Sequence, residues 1–254
     1  MASIAFFPFE FLGIPSVQCA FTSRRGGVSE PPHDSANLSF EVGDDDHAVR
    51  QNRRMLFKRF ELTAWCECRQ VHGDTLHVEP SPIAPEDMAT LEGDGLATAL
   101  PGTGLVIKTA DCQPILMAHR SGRYVAGLHV GWRGNKLNFP KTGVRRFCET
   151  YGLDPKDIFA VRGPSLSPAS AEFINFETDF GPAFAPYFDP DSKHMDLWRL
   201  TRDQLMDAGL PSEHIHSMDL CTMGRDDTFF SHRKACASPA GTTGRQAGFI
   251  WIKP

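Results

Sequence analysis

The sequence predicts a mixed α/β domain, and two observations predict it. Short apolar runs of strand-like length alternate with segments whose apolar residues recur at helical spacing. A length of 254 residues fits one large core better than two small ones, and the chain contains no internal repeat or low-complexity tract.

Taken in order, residues 17–24 predict a strand closed by Gly26-Gly27, whose freedom at positive φ permits a tight turn. Residues 37–40 predict a second short strand. Asp44 to Asp46 then supply N-cap and first-turn acids for a helix to about Phe60, with Val49, Arg53, Leu56, Phe57 and Phe60 as its inward stripe. From Cys68 to Val78 the pattern is strand-like, interrupted at His72-Gly73-Asp74, where a bulge or turn exposes the imidazole. Residues 79–92, rich in Pro and Glu, predict a surface loop. The runs 94–98, 105–109, 115–119 and 124–130 form the predicted sheet core, with the candidate ligands at its ends. Pro140 opens a helix to about Tyr151 that Gly152 stops. A strand at 158–162, helices at 170–180 and 197–208, and strands at 215–220 and 247–252 complete the prediction.

Composition excludes several functions. Net charge is −5, and Lys and Arg cluster no further than pairs such as Arg53-Arg54 and Arg145-Arg146, so a nucleic-acid partner is not expected. The apolar start, residues 4–11, carries Pro8 and Glu10 and no basic leader, which argues against a signal peptide. No apolar stretch reaches the length of about 18 residues that a membrane span needs. Seven scattered cysteines, an odd number, suit a reducing cytoplasm, and the pair Cys66 and Cys68 reads as two thiols on one strand face.

Chemistry concentrates in three stretches: Gln70 to Gly73, Thr109 to Pro114 and His129 to Gly134. Each places one soft ligand where a strand-like run meets Gly, Pro or Asp. His72, Cys112 and His129 are therefore the candidate metal site; 40 residues separate the first pair and 17 the second, so the fold and not a local loop must assemble it. Two imidazoles and a thiolate suit zinc, and three protein ligands leave a position free for water or substrate.

In their order and spacing, Phe21 to Ser29, Asn37-Leu38, Gly43 to Asp45 with Asn52-Arg53, and the three ligand stretches resemble the YfiH-type laccase-domain family. So do Asp94 to Thr98, Gly163-Pro164, Cys221-Thr222, Phe229 to Ser231 and Thr243 to Arg245, and the likeness covers nearly the whole chain. That family also goes by the names multicopper polyphenol oxidase and purine nucleoside phosphorylase. The resemblance implies one domain of mixed sheets covered by helices, with a cysteine-hydrolase-type fold, and zinc on His72, Cys112 and His129. It also implies phosphorolysis of adenosine, inosine and methylthioadenosine, with deamination of adenosine. The older name implies copper and phenols, and a further branch an amidohydrolase acting on a peptidoglycan precursor. Departures from the family pattern, His232 and residues 135–139, are expected at the pocket mouth.

On the phosphorylase reading, Arg24 and Arg133 are the expected anion ligands, since a guanidinium fork matches phosphate oxygens. Asn37 and Gln70 are the expected substrate amides, and Asp111, beside the thiolate, an orienter or a general acid/base. Three further readings stand beside it. A metal-free cysteine hydrolase would use Cys112 as nucleophile with His129 or His72 as base. A copper phenol oxidase would need dense H-x-H pairs, of which only His214-Ile215-His216 occurs. A non-enzymatic zinc module would close the site with a fourth ligand, Cys221 being the candidate. The sequence leaves the oligomeric state open.

Overall fold

The computed structural model describes residues 3–254. Its strands are β1 Phe6–Phe9, β2 Val17–Thr22, β3 Ala64–Glu67, β4 Leu76–Val78, β5 Gly95–Thr98, β6 Thr103–Thr109, β7 Gln113–His119, β8 Val125–Val130, β9 Ile158–Arg162, β10 Phe188–Asp189, β11 His194–Met195, β12 Ile215–Ser217 and β13 Gln246–Ile252. The helices are α1 Asp46–Arg59, α2 Trp132–Lys136, α3 Phe139–Tyr151, α4 Phe176–Asp179, α5 Leu197–Asp207 and α6 His232–Cys236.

Two mixed sheets stack between helices. One runs β1-β2-β13-β6-β3 and the other β12-β9-β7-β8-β5-β4. Side-chain alternation sets the layers: Leu105 and Ile107 of β6, Leu116 of β7 and Ile250 of β13 fill the space between the sheets. Their neighbours Val106, Phe249 and Trp251 turn outward onto Leu56 and Phe60 at the end of α1. Ile115, Met117 and Leu128 turn outward on the other side, onto Phe139, Val144 and Phe147 of α3 and Leu205 of α5. Because both faces of each sheet are covered, the central strands read as continuous apolar runs.

Asp45 caps α1 by accepting from the His47 N–H at 3.0 Å, and Gly152, at φ 64°, ends α3. Buried charge sits beside the α1 layer. Arg53 donates to Glu67 Oε1 at 2.8 Å, Lys108 reaches the same oxygen at 3.2 Å, and Trp65 donates to Oε2 at 2.9 Å. Lys108 also lies 3.4 Å from Glu41.

Several expectations need correction. The predicted sheet core divides between two sheets, since β6 lies in one and β5, β7 and β8 in the other. Residues 37–40 form no strand: Asn37 spends its amide on Ser39, Asp44 and the Arg245 N–H, and a 3₁₀ turn follows at Phe40–Val42. The strand expected from Cys68 begins earlier, at Ala64, and residues 68–75 are irregular before β4. The helix expected over 170–180 shrinks to α4, flanked by 3₁₀ turns at Pro168–Ser170 and Pro182–Tyr187. Here the packing of Phe173, Phe176 and Phe180 with Met195 and Leu200 makes a satellite cluster without a long helix. The sequence also gave no sign of β1, which pairs antiparallel with β2 along the edge.

Three connections pass between the sheets at one end of the sandwich: 68–75, 110–112 and 218–245. The candidate ligands gather at that end. No described helix is long and apolar enough to cross a membrane.

Candidate active site

Strand register assembles the site. Gln113 of β7 faces Val130 of β8, which sets Cys112 beside Gly131, and Gly95 of β5 faces Leu128, which sets Asp94 beside His129. The His129 backbone N–H donates to the Asp94 carbonyl at 2.7 Å, fixing that neighbourhood. His72 comes from the 68–75 crossing, at φ 62° in the left-handed region, with its ring exposed.

The donor atoms of His72, Cys112 and His129 all lie within 4.8 Å of one another, as a shared metal requires. Asp94, the residue the sequence reading left out, holds two of the three. Its carboxylate lies 2.8 Å from His129 Nδ1, which turns Nε2 toward Cys112. It also accepts the backbone N–H groups of His72 at 2.9 Å and Gly73 at 2.7 Å. The available signal was an acid directly before a Gly-led strand, in a segment read only as strand.

Charges within the group support one another. Burial alone would raise the Cys112 thiol, but the His129 imidazolium, and then His72, bring it below its ordinary value. Burial alone would lower His129, but the Cys112 thiolate and the Asp94 carboxylate push it up. The donor set therefore fits a soft divalent metal: a thiolate, one imidazole oriented by a carboxylate, and a second on a loop that the same carboxylate holds.

Gly131 is required at its position by space. A Cβ there would stand 2.9 Å from Cys112 Sγ and 3.1 Å from His72 Cδ2. Gly131→Ala is expected to push the thiol and ring apart and lower kcat/KM by about 100-fold, as misplacement near 1 Å does. Metal content and circular dichroism on the purified variant would separate that from unfolding.

Two cavities adjoin the group and share His72, Ala110, Cys112 and His232. One, of about 340 Å³, is lined by Arg69, Gln70, Lys108 and Arg245 together with the Glu41 carboxylate. The other, of about 470 Å³, is lined by Trp132, Phe173, Leu166 and Leu197 and by Arg133 and Arg233, which lie 4.2 Å over the Trp132 ring and 5.5 Å over the Phe173 ring.

Gln70 and Arg133 border the cavities, although both amide atoms of Gln70 are paired with the Lys108 backbone at 2.8 Å. Arg24 does not reach them: its guanidinium is held by the Asp34 and Asp226 carbonyls and lies 4.8 Å over the Phe230 ring. Asn37 is buried in the loop bonds already described. The Asp111 carboxylate accepts from the Thr222 hydroxyl at 2.6 Å and the Arg233 N–H at 2.6 Å, so it pins the Cys112 loop to α6. Cys221 is outside the metal group, its Sγ accepting from the Gly224 N–H at 3.3 Å. His232 lines both cavities as expected, whereas none of residues 135–139 does; Asn135 bonds Thr201 and Gln204 behind the site. His214 stacks on Phe159 at 3.8 Å and His216 packs near Phe9 and Phe11.

The model of the multi-copper polyphenol oxidoreductase laccase family matches residues 18–253. The chain belongs to this family. Among curated members of this laccase-domain family, the purine nucleoside phosphorylase YfiH of Escherichia coli (strain K12) is 34% identical over 249 residues, covering 93% of this chain and 94% of that protein. The purine nucleoside phosphorylase YlmD of Geobacillus stearothermophilus is 34% identical over 247 residues, covering 90% and 88%. The crystal structure of that YlmD superposes with a TM-score of 0.82 at 29% identity over 96% of this chain and 94% of the other. A Bacillus licheniformis hypothetical protein YfiH superposes with a TM-score of 0.80 at 27% identity, covering 94% of each chain. The mixed sheets of this laccase-domain chain thus match those of its structural neighbours.

Proposed function

We propose that this chain is a cytoplasmic, zinc-dependent purine nucleoside phosphorylase that accepts adenosine, inosine and methylthioadenosine and also deaminates adenosine. The observation that carries the reading is the His72, Cys112 and His129 group, within 4.8 Å, set between two cavities, each lined by arginines and one of them also by aromatic rings. The names of the relatives give the reaction class. All seven cysteines are free thiols, in keeping with a reducing compartment.

Phosphorolysis forms a bond between a phosphate oxygen and ribose C1′ and breaks the bond from C1′ to purine N9. The bond's electron pair leaves with the base, which takes a proton, and the products are free purine and ribose 1-phosphate. Trp132 and Phe173 line the second cavity and give the purine apolar contact area there. Asp94 holds His129 and the His72 loop in place throughout. A zinc ion on the three ligands would supply Lewis-acid polarisation with a coordination position open to substrate.

A second reading rests on one observation: Cys112 Sγ lies within 4.8 Å of His129, which lowers the thiol while the thiol raises the imidazole, the arrangement a cysteine hydrolase would use. Mass-spectrometric product analysis with adenosine, in phosphate and in phosphate-free buffer, tests both. Adenine with ribose 1-phosphate is the expected result in phosphate, with some inosine in either buffer. His72→Ala is expected to remove both activities. Full activity after exhaustive chelation, lost on alkylating Cys112, would instead establish the cysteine hydrolase.

A further inference from the structure

We propose that Arg245 is the oxyanion anchor of the first cavity, of about 340 Å³, and that inorganic phosphate binds there, on the opposite side of the metal group from the nucleoside. This deepens the phosphorolysis reading and rests on it for the identity of the second substrate.

Within the first cavity the ion pairs leave Arg245 as the cation without a carboxylate. Lys108 lines the same cavity, but its ammonium is shared between Glu67 at 3.2 Å and Glu41 at 3.4 Å. Glu67 is in turn bonded by Arg53, so Arg53, Lys108, Glu67 and Glu41 form a neutral set of two cations and two anions. Arg69 is paired with Glu92. Arg245 has no carboxylate partner among the described residues.

Its hydrogen bonds leave a fork open. Nη1 donates to the carbonyls of Thr243 at 2.9 Å and Gly244 at 3.0 Å, which fixes the guanidinium. Nε and Nη2 have no hydrogen-bond partner among the described residues. Those two nitrogens present parallel N–H groups, the edge that grips two oxygens of a phosphate. Thr109 lines the same cavity, is 2% exposed, and has a buried hydroxyl with no partner among the described residues. The second cavity differs in its apolar walls, Leu166, Leu197 and the Trp132 and Phe173 rings, over which Arg133 and Arg233 lie at 4.2 and 5.5 Å, and it shares the metal group as its border. The two reactants would then meet across that border without competing for one pocket.

The test measures inorganic phosphate binding by isothermal titration calorimetry, together with the KM values for phosphate and inosine and the metal content, for wild type, Arg245→Gln, Arg245→Lys and Trp132→Ala. Arg245→Gln is expected to weaken phosphate by about 10- to 100-fold, the range for losing charged hydrogen bonds, with metal content and inosine KM held within about twofold. Arg245→Lys, which keeps the charge and loses the fork, should fall between, and serves alone if the Gln variant does not fold. Trp132→Ala should raise the inosine KM and leave phosphate binding intact. Wild-type phosphate affinity in both Arg245 variants, or no phosphate binding by wild type, overturns the assignment. If wild type binds phosphate through Arg245 yet makes no ribose 1-phosphate, the subsite stands and the phosphorylase reading falls.

Discussion

Asp94→Ala is expected to lower affinity for a soft divalent metal by about 10- to 100-fold, the usual effect of removing the carboxylate behind a ligating histidine. Two losses combine. The His129 ring loses the acceptor 2.8 Å from Nδ1 that directs Nε2 toward Cys112. The 68–75 loop loses the acceptor of its His72 and Gly73 N–H groups, which hold His72 at φ 62°. Left-handed backbone costs a non-glycine residue about 1–2 kcal/mol, so the loop is expected to relax and carry its ring away. Asp94→Asn should keep part of the affinity, since its one carbonyl oxygen can still accept while the amide faces N–H donors. Metal titration against a competing chelator, with kcat/KM for inosine alongside, checks both variants. Unchanged metal affinity in Asp94→Ala would show that the ring and loop are held by other means.

Glu67→Gln is expected to destabilise the protein by about 3–5 kcal/mol, because it leaves Arg53 and Lys108 buried without their shared counter-charge. For a chain of this size that corresponds to a fall in Tm on the order of 10 °C. Burial by itself would raise the Glu67 carboxyl, but Lys108, Arg53 and the hydrogen bond from Trp65 hold it below its ordinary value of 4.5. A depressed carboxyl contributes stability at pH above its unfolded value and loses that contribution as pH falls through its folded value. The wild-type excess over Glu67→Gln should therefore be full near neutrality and shrink below pH 4.5. Urea unfolding of both proteins from pH 7 down to 3 measures it. A constant gap across that range would contradict the buried-carboxylate account.

The three candidate ligands, which the fold brings within 4.8 Å, stood out in the sequence because each sits beside a chain break that strands do not tolerate, as with Gly73 and Gly131. The helix ends at Asp45 and Gly152 were legible for the same local reason. Asp94 was not, since its role depends on β5 lying beside β8, a pairing between residues 35 apart that no local pattern encodes. Arg24 and Arg245 illustrate the converse. Both follow or precede glycine-rich turns in family motifs, yet one guanidinium is consumed by loop carbonyls while the other keeps an open edge, and only the assembled fold decides which. The 170–180 helix failed because aromatic side chains there found partners in a satellite cluster, which rewarded burial without helical regularity.

Two of the three candidate ligands sit on segments that step from one sheet to the other, His72 between β3 and β4 and Cys112 between β6 and β7. An ion gripping both would act as a rivet through the two lamellae. Shear between them could not occur without distorting the coordination, so core substitutions that alter layer spacing far from the chemistry would register in how tightly the ion is held.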